Sequence, residues 1–171
     1  MCCLEAGREA EFTAVRATIA HAQRCRGPDR FPLVVQQALP RYAFLDLAYA
    51  LDPGFVRADV ETALRASLGL AGDSANERSG LFGLPARRLG EPEYASRIEG
   101  RAQEVAGVLW CKVTGLGLFA AGPVDPATLV LPAAPRPAVA TLPCSPTELL
   151  QLASQHLILT PVDEPSAGEC A

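Results

Sequence analysis

The residues of this chain best suited to nucleophilic or metal chemistry are its six cysteines and two histidines. The cysteines stand at positions 2, 3, 25, 111, 144 and 170, and no two of them have the C-x-x-C spacing of a zinc site or redox motif. A thiol nucleophile also needs a base within hydrogen-bonding reach, and nothing in the sequence brings His21 or His156 to Cys111 or Cys144. We therefore expect no catalytic residue and no bound metal. The alternative is a small thiol-dependent enzyme that uses Cys111 or Cys144.

Two further features could form a ligand site. Asp46 is the only charged residue of an apolar strand predicted at 42–51, where it would be either a buried catalytic carboxylate or an acidic residue near solvent. The second arrangement is the commoner one. The glycines between 115 and 122 could form a loop over a small ligand, which would make the chain a free-standing binding module. The glycine-rich stretches match neither G-x-x-x-x-G-K-[ST] nor G-x-G-x-x-G, and we expect no cofactor.

Composition restricts the class of protein further. The chain has 171 residues, of which 49% are hydrophobic and 6% aromatic, so a core of Leu, Val and Ala is expected. Its net charge of −4 offers no basic surface for nucleic acid. No apolar run approaches the roughly 20 residues that span a bilayer, and the N-terminus lacks a signal pattern. We predict a cytoplasmic chain that binds neither nucleic acid nor membrane.

The stretch 80–118 has the clearest pattern of elements and predicts an extended arm at 81–89, a helix and a strand. Pro92 suits the first position of the helix, and an apolar stripe of Tyr94, Ile98, Ala102 and Val105 follows at steps of three and four residues. Gly107 is the predicted cap of this helix. Residues 108–114 are β-branched and aromatic enough for a strand.

The other elements follow from the same rules. An amphipathic helix is predicted at 5–24, a β-prone run at 31–38, a strand at 42–51 with two apolar faces, and a helix at 56–68 ended by Gly69. Residues 69–80 are polar and predict a surface loop. A capping box at 145–148 predicts a short helix, and 156–160 a last strand.

These elements predict an α+β fold, in which two amphipathic helices pack on one face of a small sheet. An N-terminal helix and a C-terminal helix–strand appendage complete it. The predicted organisation is an N-terminal helix in 1–30, an α+β core in 31–119, a proline-rich connector in 120–143, the appendage in 144–162 and an acidic tail in 163–171.

Several short motifs follow one another along residues 19–162. They are Pro40-Arg41-Tyr42, Leu51-Asp52-Pro53-Gly54, the V-x-x-x-V-x-x-x-L pattern from Val56, Leu81-Phe82-Gly83, Arg88-Leu89-Gly90-Glu91-Pro92, Tyr94-Ala95-Ser96-Arg97-Ile98, Val105-Ala106-Gly107-Val108 and Pro143-Cys144-Ser145-Pro146-Thr147-Glu148-Leu149-Leu150. Their combination and order resemble the baseplate assembly proteins of the baseplate J-like family, which belong to contractile phage tails and related injection machines. The likeness is to the C-terminal portion of these longer proteins.

The resemblance implies a structural, non-enzymatic wedge component that bridges neighbouring baseplate subunits. Its partners would be other wedge subunits and a second copy of itself, and it would be cytoplasmic until assembled into a phage tail or tail-like particle. Because the chain begins near the point where the similar portion starts, we expect the product of a split gene, a truncated gene or an independent small relative.

The arm is the predicted interface. Its apolar residues lie between a polar loop and a helix, Pro85 disfavours a regular central strand, and aromatic residues with Arg are typical of interface cores. The candidate interface residues are Leu81, Phe82, Leu84, Arg87, Arg88 and Leu89. The alternative is that the arm folds back over the sheet of its own domain.

Overall fold

A computed structural model describes residues 9–26, 38–70, 80–83, 85–122 and 125–162. The chain divides into two compact units, residues 1–39 and 40–171. In the first unit, helix α1 spans Glu9–Arg26, which confirms the predicted N-terminal helix over the described residues. Phe12, Val15 and Ile19 are its half-buried apolar stripe. The β-prone run at 31–38 lies outside the described residues except for Ala38.

The second unit is organised around strand β1, Leu39–Leu51, which enters it at Pro40. Strand β3, Val108–Leu118, pairs with β1 in the antiparallel direction, and strand β5, Glu148–Pro161, flanks β1 on the other side. The sheet order is therefore β3-β1-β5. A strand in the middle of a sheet with both faces covered must be apolar on both, and this is what the alternation in β1 predicted.

Two helices cover one face of this sheet. Helix α2 spans Arg57–Leu68 and helix α3 spans Ala95–Gln103. Their buried side chains meet the odd-numbered residues of β1 in the main core, which contains Ala43, Leu45, Leu47, Tyr49, Val60, Leu64, Leu68, Ile98, Ala102, Leu150 and Leu152. On the other face, Tyr42 and Phe44 form a smaller cluster with Phe119. The α+β class and the position of the two helices are as predicted.

The end of α2 fixes the position of the arm. Gly69 has a φ of +69° and its N–H donates to the carbonyl of Arg65, as predicted for a glycine cap. The backbones of Gly69 and Gly80 then cross, since a Cβ on Gly80 would lie 2.0 Å from the nitrogen of Gly69. Residues 71–79 of the predicted loop lie outside the described residues.

The start and end of α3 differ from the prediction. Pro92 is not the first helical residue, because Glu93–Tyr94 forms strand β2 and pairs with strand β4, Thr141–Leu142. This pairing holds the backbone extended until Ala95, so Tyr94 lies on the surface rather than in the apolar stripe. The helix ends at Gln103, and Gly107, at a φ of +91°, belongs to a later turn instead of capping the helix.

The prediction of a short C-terminal helix is wrong. Glu148 closes a turn that begins at Ser145, and it is the first residue of strand β5. The carboxylate of Glu148 accepts the N–H of Ser145, which is half of the predicted capping box. The chain then continues as the 14-residue strand β5. Leu149, Leu150 and Leu152 are buried in it. Pairing with β1 buries these residues on both faces, which a short exposed helix could not do. The segment is therefore part of the sheet and not an appendage.

The prediction of a glycine-rich loop from residue 115 is also wrong for its first residues. Gly115 and Gly117 lie within β3, opposite Asp46 and Phe44 of β1. The side chains of these two residues fill the space above the glycines, since an added Cβ would come within 2.7 Å and 2.5 Å of them. The connector that follows contains a 3₁₀ turn at Pro126–Thr128 and a parallel bridge between Leu116 and Ala138.

Candidate interaction surface

The first residues of the arm pack into the domain's own core. Leu81 and Phe82 are buried in the main core. Their N–H groups donate to the carbonyls of Ser67 and Leu68, the last residues of α2. Main-chain hydrogen bonds thus hold the start of the arm against the end of α2, and the first apolar side chains of the arm are not on the surface.

A buried ion pair holds the second half of the arm. The guanidinium of Arg87 donates to the carboxylate of Glu93, and both side chains are inaccessible to solvent. Arg87 also donates to the backbone carbonyl of Glu91 at 2.6 Å, and its guanidinium lies 5.5 Å from the ring centroid of Phe82. The guanidinium of Arg87 is therefore paired with a counter-charge and hydrogen-bonded within its own domain.

A second, more exposed ion pair joins the residues that follow the arm to helix α3. Arg97 of α3 donates to the carboxylate of Glu91 at 2.9 Å, and the N–H of Arg88 donates to the other oxygen of Glu91, also at 2.9 Å. The hydrogen bond from Arg88 and then the one from Arg97 hold the pKa of Glu91 below its ordinary value. Glu91 thus remains ionised and ties the arm to α3.

These contacts divide the six predicted interface residues. Leu81, Phe82 and Arg87 are buried against their own domain, as the alternative interpretation expected for the arm. Arg88 is exposed and Leu89 half-buried, so an interface through these two stays a prediction. Leu84 lies outside the described residues. A groove of about 460 Å³ runs between the arm and α3, lined by Gly80, Leu81, Ala86, Arg97, Gly100, Arg101 and Glu104.

A different surface exposes large apolar side chains around the Gly107 turn. Phe55, Val56 and Leu109 are 45%, 65% and 46% exposed, and we call them the apolar tip. The N–H of Asp52 donates to the carbonyl of Gly107 at 2.9 Å, which joins the turn after β1 to the turn before β3. The ring of Phe55 lies directly over Gly107, which leaves no room for a Cβ there.

The sequence did not single out the apolar tip. The helix predicted at 56–68 would begin with Val56, but Val56 is the N-cap residue and is 65% exposed. Leu109 falls at an irregularity where β3 has one more residue than β1, since Leu51 pairs with Val108 and Ala50 with Trp110. The signal that could have found the tip is two apolar residues between the Pro-Gly turn and the first polar helical residue.

Asp46 is mostly buried and ion-paired rather than simply solvated. Its Oδ2 accepts a hydrogen bond from Arg136 of the connector at 2.8 Å, and the two side chains are mostly buried. This ion pair crosses the sheet face opposite the helices. The ion pair holds the connector against the sheet. Leu116 of β3 adds two main-chain hydrogen bonds to the connector, because its N–H donates to the carbonyl of Pro137 and its carbonyl accepts the N–H of Val139.

The two candidate thiols are held in their protonated form. Burial raises the pKa of Cys111 to about 11, and its Sγ donates to the carbonyl of Glu99. Burial also raises the pKa of Cys144, whose Sγ donates to the carbonyl of Glu148. A nucleophilic cysteine needs the opposite shift. His156 instead lies with its ring 4.5 Å from that of Phe119 and with Nε2 3.3 Å from the carbonyl of Leu129.

One thiol–imidazole pair was missed. On the exposed side of α1, the Sγ of Cys25 lies 3.6 Å from Nε2 of His21, because residues four apart share a helix face. That spacing was visible in the sequence. Two ligands alone do not make a closed metal site. Within the described ranges, no three or more His, Cys, Asp or Glu side chains gather in a metal-binding group.

None of the helices in the described part of the chain is both long and apolar enough to cross a membrane. Comparison with models of known protein families gave no match, and neither did comparison with curated proteins.

Proposed function

We propose that this chain is a non-enzymatic structural subunit of a contractile-tail baseplate and acts through protein–protein contacts. The ordered motifs that resemble baseplate assembly proteins point to the machine. The apolar tip is the observation that carries the mode of action, because three large apolar side chains around one turn remain 45–65% exposed. Exposed apolar groups that lie together mark surfaces that bind another protein.

The residues that carry the resemblance support a structural role because they shape the backbone. Gly90 has a φ of +72° and a Cβ there would lie 3.0 Å from Pro146. Gly107 has a φ of +91° beneath Phe55. Both conformations disfavour a side chain, and both glycines occur in the similar motifs. Glycines at such positions set the path of the backbone and contribute no reactive group.

The tip is suited to a neighbouring wedge subunit as partner. Its residues are apolar and aromatic, and Arg57 next to them is paired with Glu61 of the same helix at 2.7 Å. A partner that presents an apolar hollow would bury the Phe55 ring and the Val56 side chain together. Before assembly the chain would be free in the cytoplasm, and afterwards it would be part of a phage tail or tail-like particle.

The test is a variant that weakens the contact without weakening the fold. Val56 is an N-cap residue with no side-chain capping bond, and Ser is a preferred N-cap, so Val56→Ser should stabilise α2 by about 0.5–1 kcal/mol. The same change removes the most exposed apolar side chain of the tip. We expect Val56→Ser to weaken co-purification with the other wedge subunits about tenfold or more, while raising the denaturation midpoint.

The matched control is Val130→Ser in the connector, where the valine is 85% exposed. The control should bind its partners like the parent chain. If Val56→Ser binds as tightly as the control does, the tip is not the contact, and if the parent chain binds no baseplate protein at all, the proposed function is wrong.

A further inference from the structure

Strand β5 is one edge of the three-stranded sheet, since β1 lies on its inner side and no strand of the described part pairs with its outer side. The strand is 14 residues long. Residues 149–160 contain no charged residue, no proline and no glycine. Natural edge strands are usually protected by charges, prolines or brevity, because unpaired N–H and C=O groups attract another strand. The uncharged run of β5 carries none of these protections.

The opposite edge of the same sheet is covered. On β3, the N–H of Val113 donates to the carboxylate of Glu99 at 2.8 Å. Leu116 donates to the carbonyl of Pro137 and accepts from the N–H of Val139. The side chain of Glu99 and the connector thus satisfy the edge of β3 at separate points. Among the described residues, the edge of β3 is therefore covered at several points, whereas no strand pairs with the outer side of β5.

The pairing segment within β5 can be located. Leu150 and Leu152 face the main core, as do Leu157 and Leu159, so one extra residue must lie between the two pairs. The regular edge therefore begins after this bulge and comprises residues 156–160. The N–H of Val162 donates to the carbonyl of Tyr49 on β1. Because main-chain groups alternate along a strand, those of Leu157 and Leu159 point away from β1.

We propose that β5 pairs with β5 of a second copy of this chain, antiparallel about a two-fold axis. Such a pair would make one six-stranded sheet with the helices of both copies on the same face. Like charges directly opposite each other destabilise a pair of strands. An uncharged segment that pairs with its own copy brings no like charges together. An uncharged edge also offers a charged foreign strand no counter-charge, whereas the second copy supplies a segment of matching length and apolarity.

Gln155 immediately precedes the pairing segment and Thr160 is its last residue. Both are exposed, so they allow a test that spares the core. Sedimentation velocity of the parent chain should show a monomer–dimer equilibrium. The double variant Gln155→Lys/Thr160→Lys places four positive charges around the two-fold axis and should raise the dimer dissociation constant about tenfold or more at low salt. Molar salt should restore the dimer. The control Ser96→Lys/Gln103→Lys, on the exposed surface of α3, should dimerise like the parent chain.

A charge swap separates pairing from a failure to fold. Gln155→Glu/Thr160→Glu should also dimerise weakly alone, but an equimolar mixture with the lysine variant should form a heterodimer at least as tightly as the parent chain. A parent chain that stays monomeric, or a mixture that forms no heterodimer, overturns the proposal. The inference does not depend on the baseplate function. Loss of partner binding in the tip variant and loss of dimerisation in the edge variants are independent outcomes.

Discussion

Removing the carboxylate of Glu93 should be among the most damaging single changes to this domain. The side chains of Arg87 and Glu93 are 1% and 0% exposed, so Glu93→Ala would leave a guanidinium inside the protein without its counter-charge. Breaking a buried ion pair from one side costs about 3–5 kcal/mol. Arg87 would keep its hydrogen bond to the carbonyl of Glu91, which places the expected loss at the lower end of that range.

The assay is urea denaturation followed by the fluorescence of Trp110, the only tryptophan of the chain. The midpoint should fall in Glu93→Ala while the slope stays constant, because the loss is one of stability and not of two-state behaviour. Arg101→Ala is the control. Its ion pair with Glu104 is exposed, and pairs of this kind contribute about 0–1 kcal/mol.

The double variant Arg87→Met/Glu93→Leu tests the cause. If the cost of Glu93→Ala comes from an unpaired buried charge, removing both charges should restore most of the lost stability. A Glu93→Ala variant as stable as the Arg101→Ala control, or a double variant less stable than Glu93→Ala, would refute this account of the arm.

Four further predictions concern the core, the backbone crossing, an open position on α3 and the buried histidine. Ile98→Ala should lower the free energy of unfolding by about 2–5 kcal/mol in the same assay, because Ile98 is completely buried between α3 and the sheet. Gly80→Ala should cost about 1–3 kcal/mol, since its Cβ would overlap the backbone of Gly69. Gly100→Ala, where the Cβ would have open space, should stabilise α3 by about 0.5–1 kcal/mol. Burial lowers the pKa of His156, so the unfolded chain takes up a proton below about pH 6.5 that the folded chain resists. Stability should therefore decline as the pH falls through that value, and His156→Gln should flatten the decline measured by midpoints across a pH series.

The parts of the fold that the sequence predicted are those set by local periodicity. Helix α2 has apolar residues four apart and a glycine cap, and both features act within the helix. Strand β1 is apolar on both faces, which a central strand requires. Residues 108–114 were β-prone for the same reason and became the first part of β3.

The parts that the sequence missed depend on distant partners. The capping box near Glu148 favours a helix, but the pairing of β5 with β1 buries more apolar surface than that helix could. The delayed start of α3 depends on strand β4, in which Leu142, the partner of Glu93, lies 49 residues later in the chain. No periodic pattern connects Arg87 to Glu93, so their burial could not be inferred from spacing.

The sequence did not indicate the apolar tip for a similar reason. The arm contains apolar and arginine residues that suit an interface, yet Phe82 and Arg87 find their partners within the domain. The tip contains only three apolar residues, and their exposure depends on how the turn at Gly107 meets the turn after β1. A surface of this kind becomes visible only when two turns distant in sequence are placed side by side.

The central claim is that this chain is built into a contractile tail, and it is tested most directly by the composition of the particle. Contractile tail particles would be purified from the cells that produce this chain and analysed by quantitative mass spectrometry. The claim predicts that the chain is present in a fixed ratio to the other baseplate proteins and remains with the baseplate when the sheath is stripped away. Particles that assemble completely without the chain, or a chain recovered only from the unassembled fraction, would contradict it.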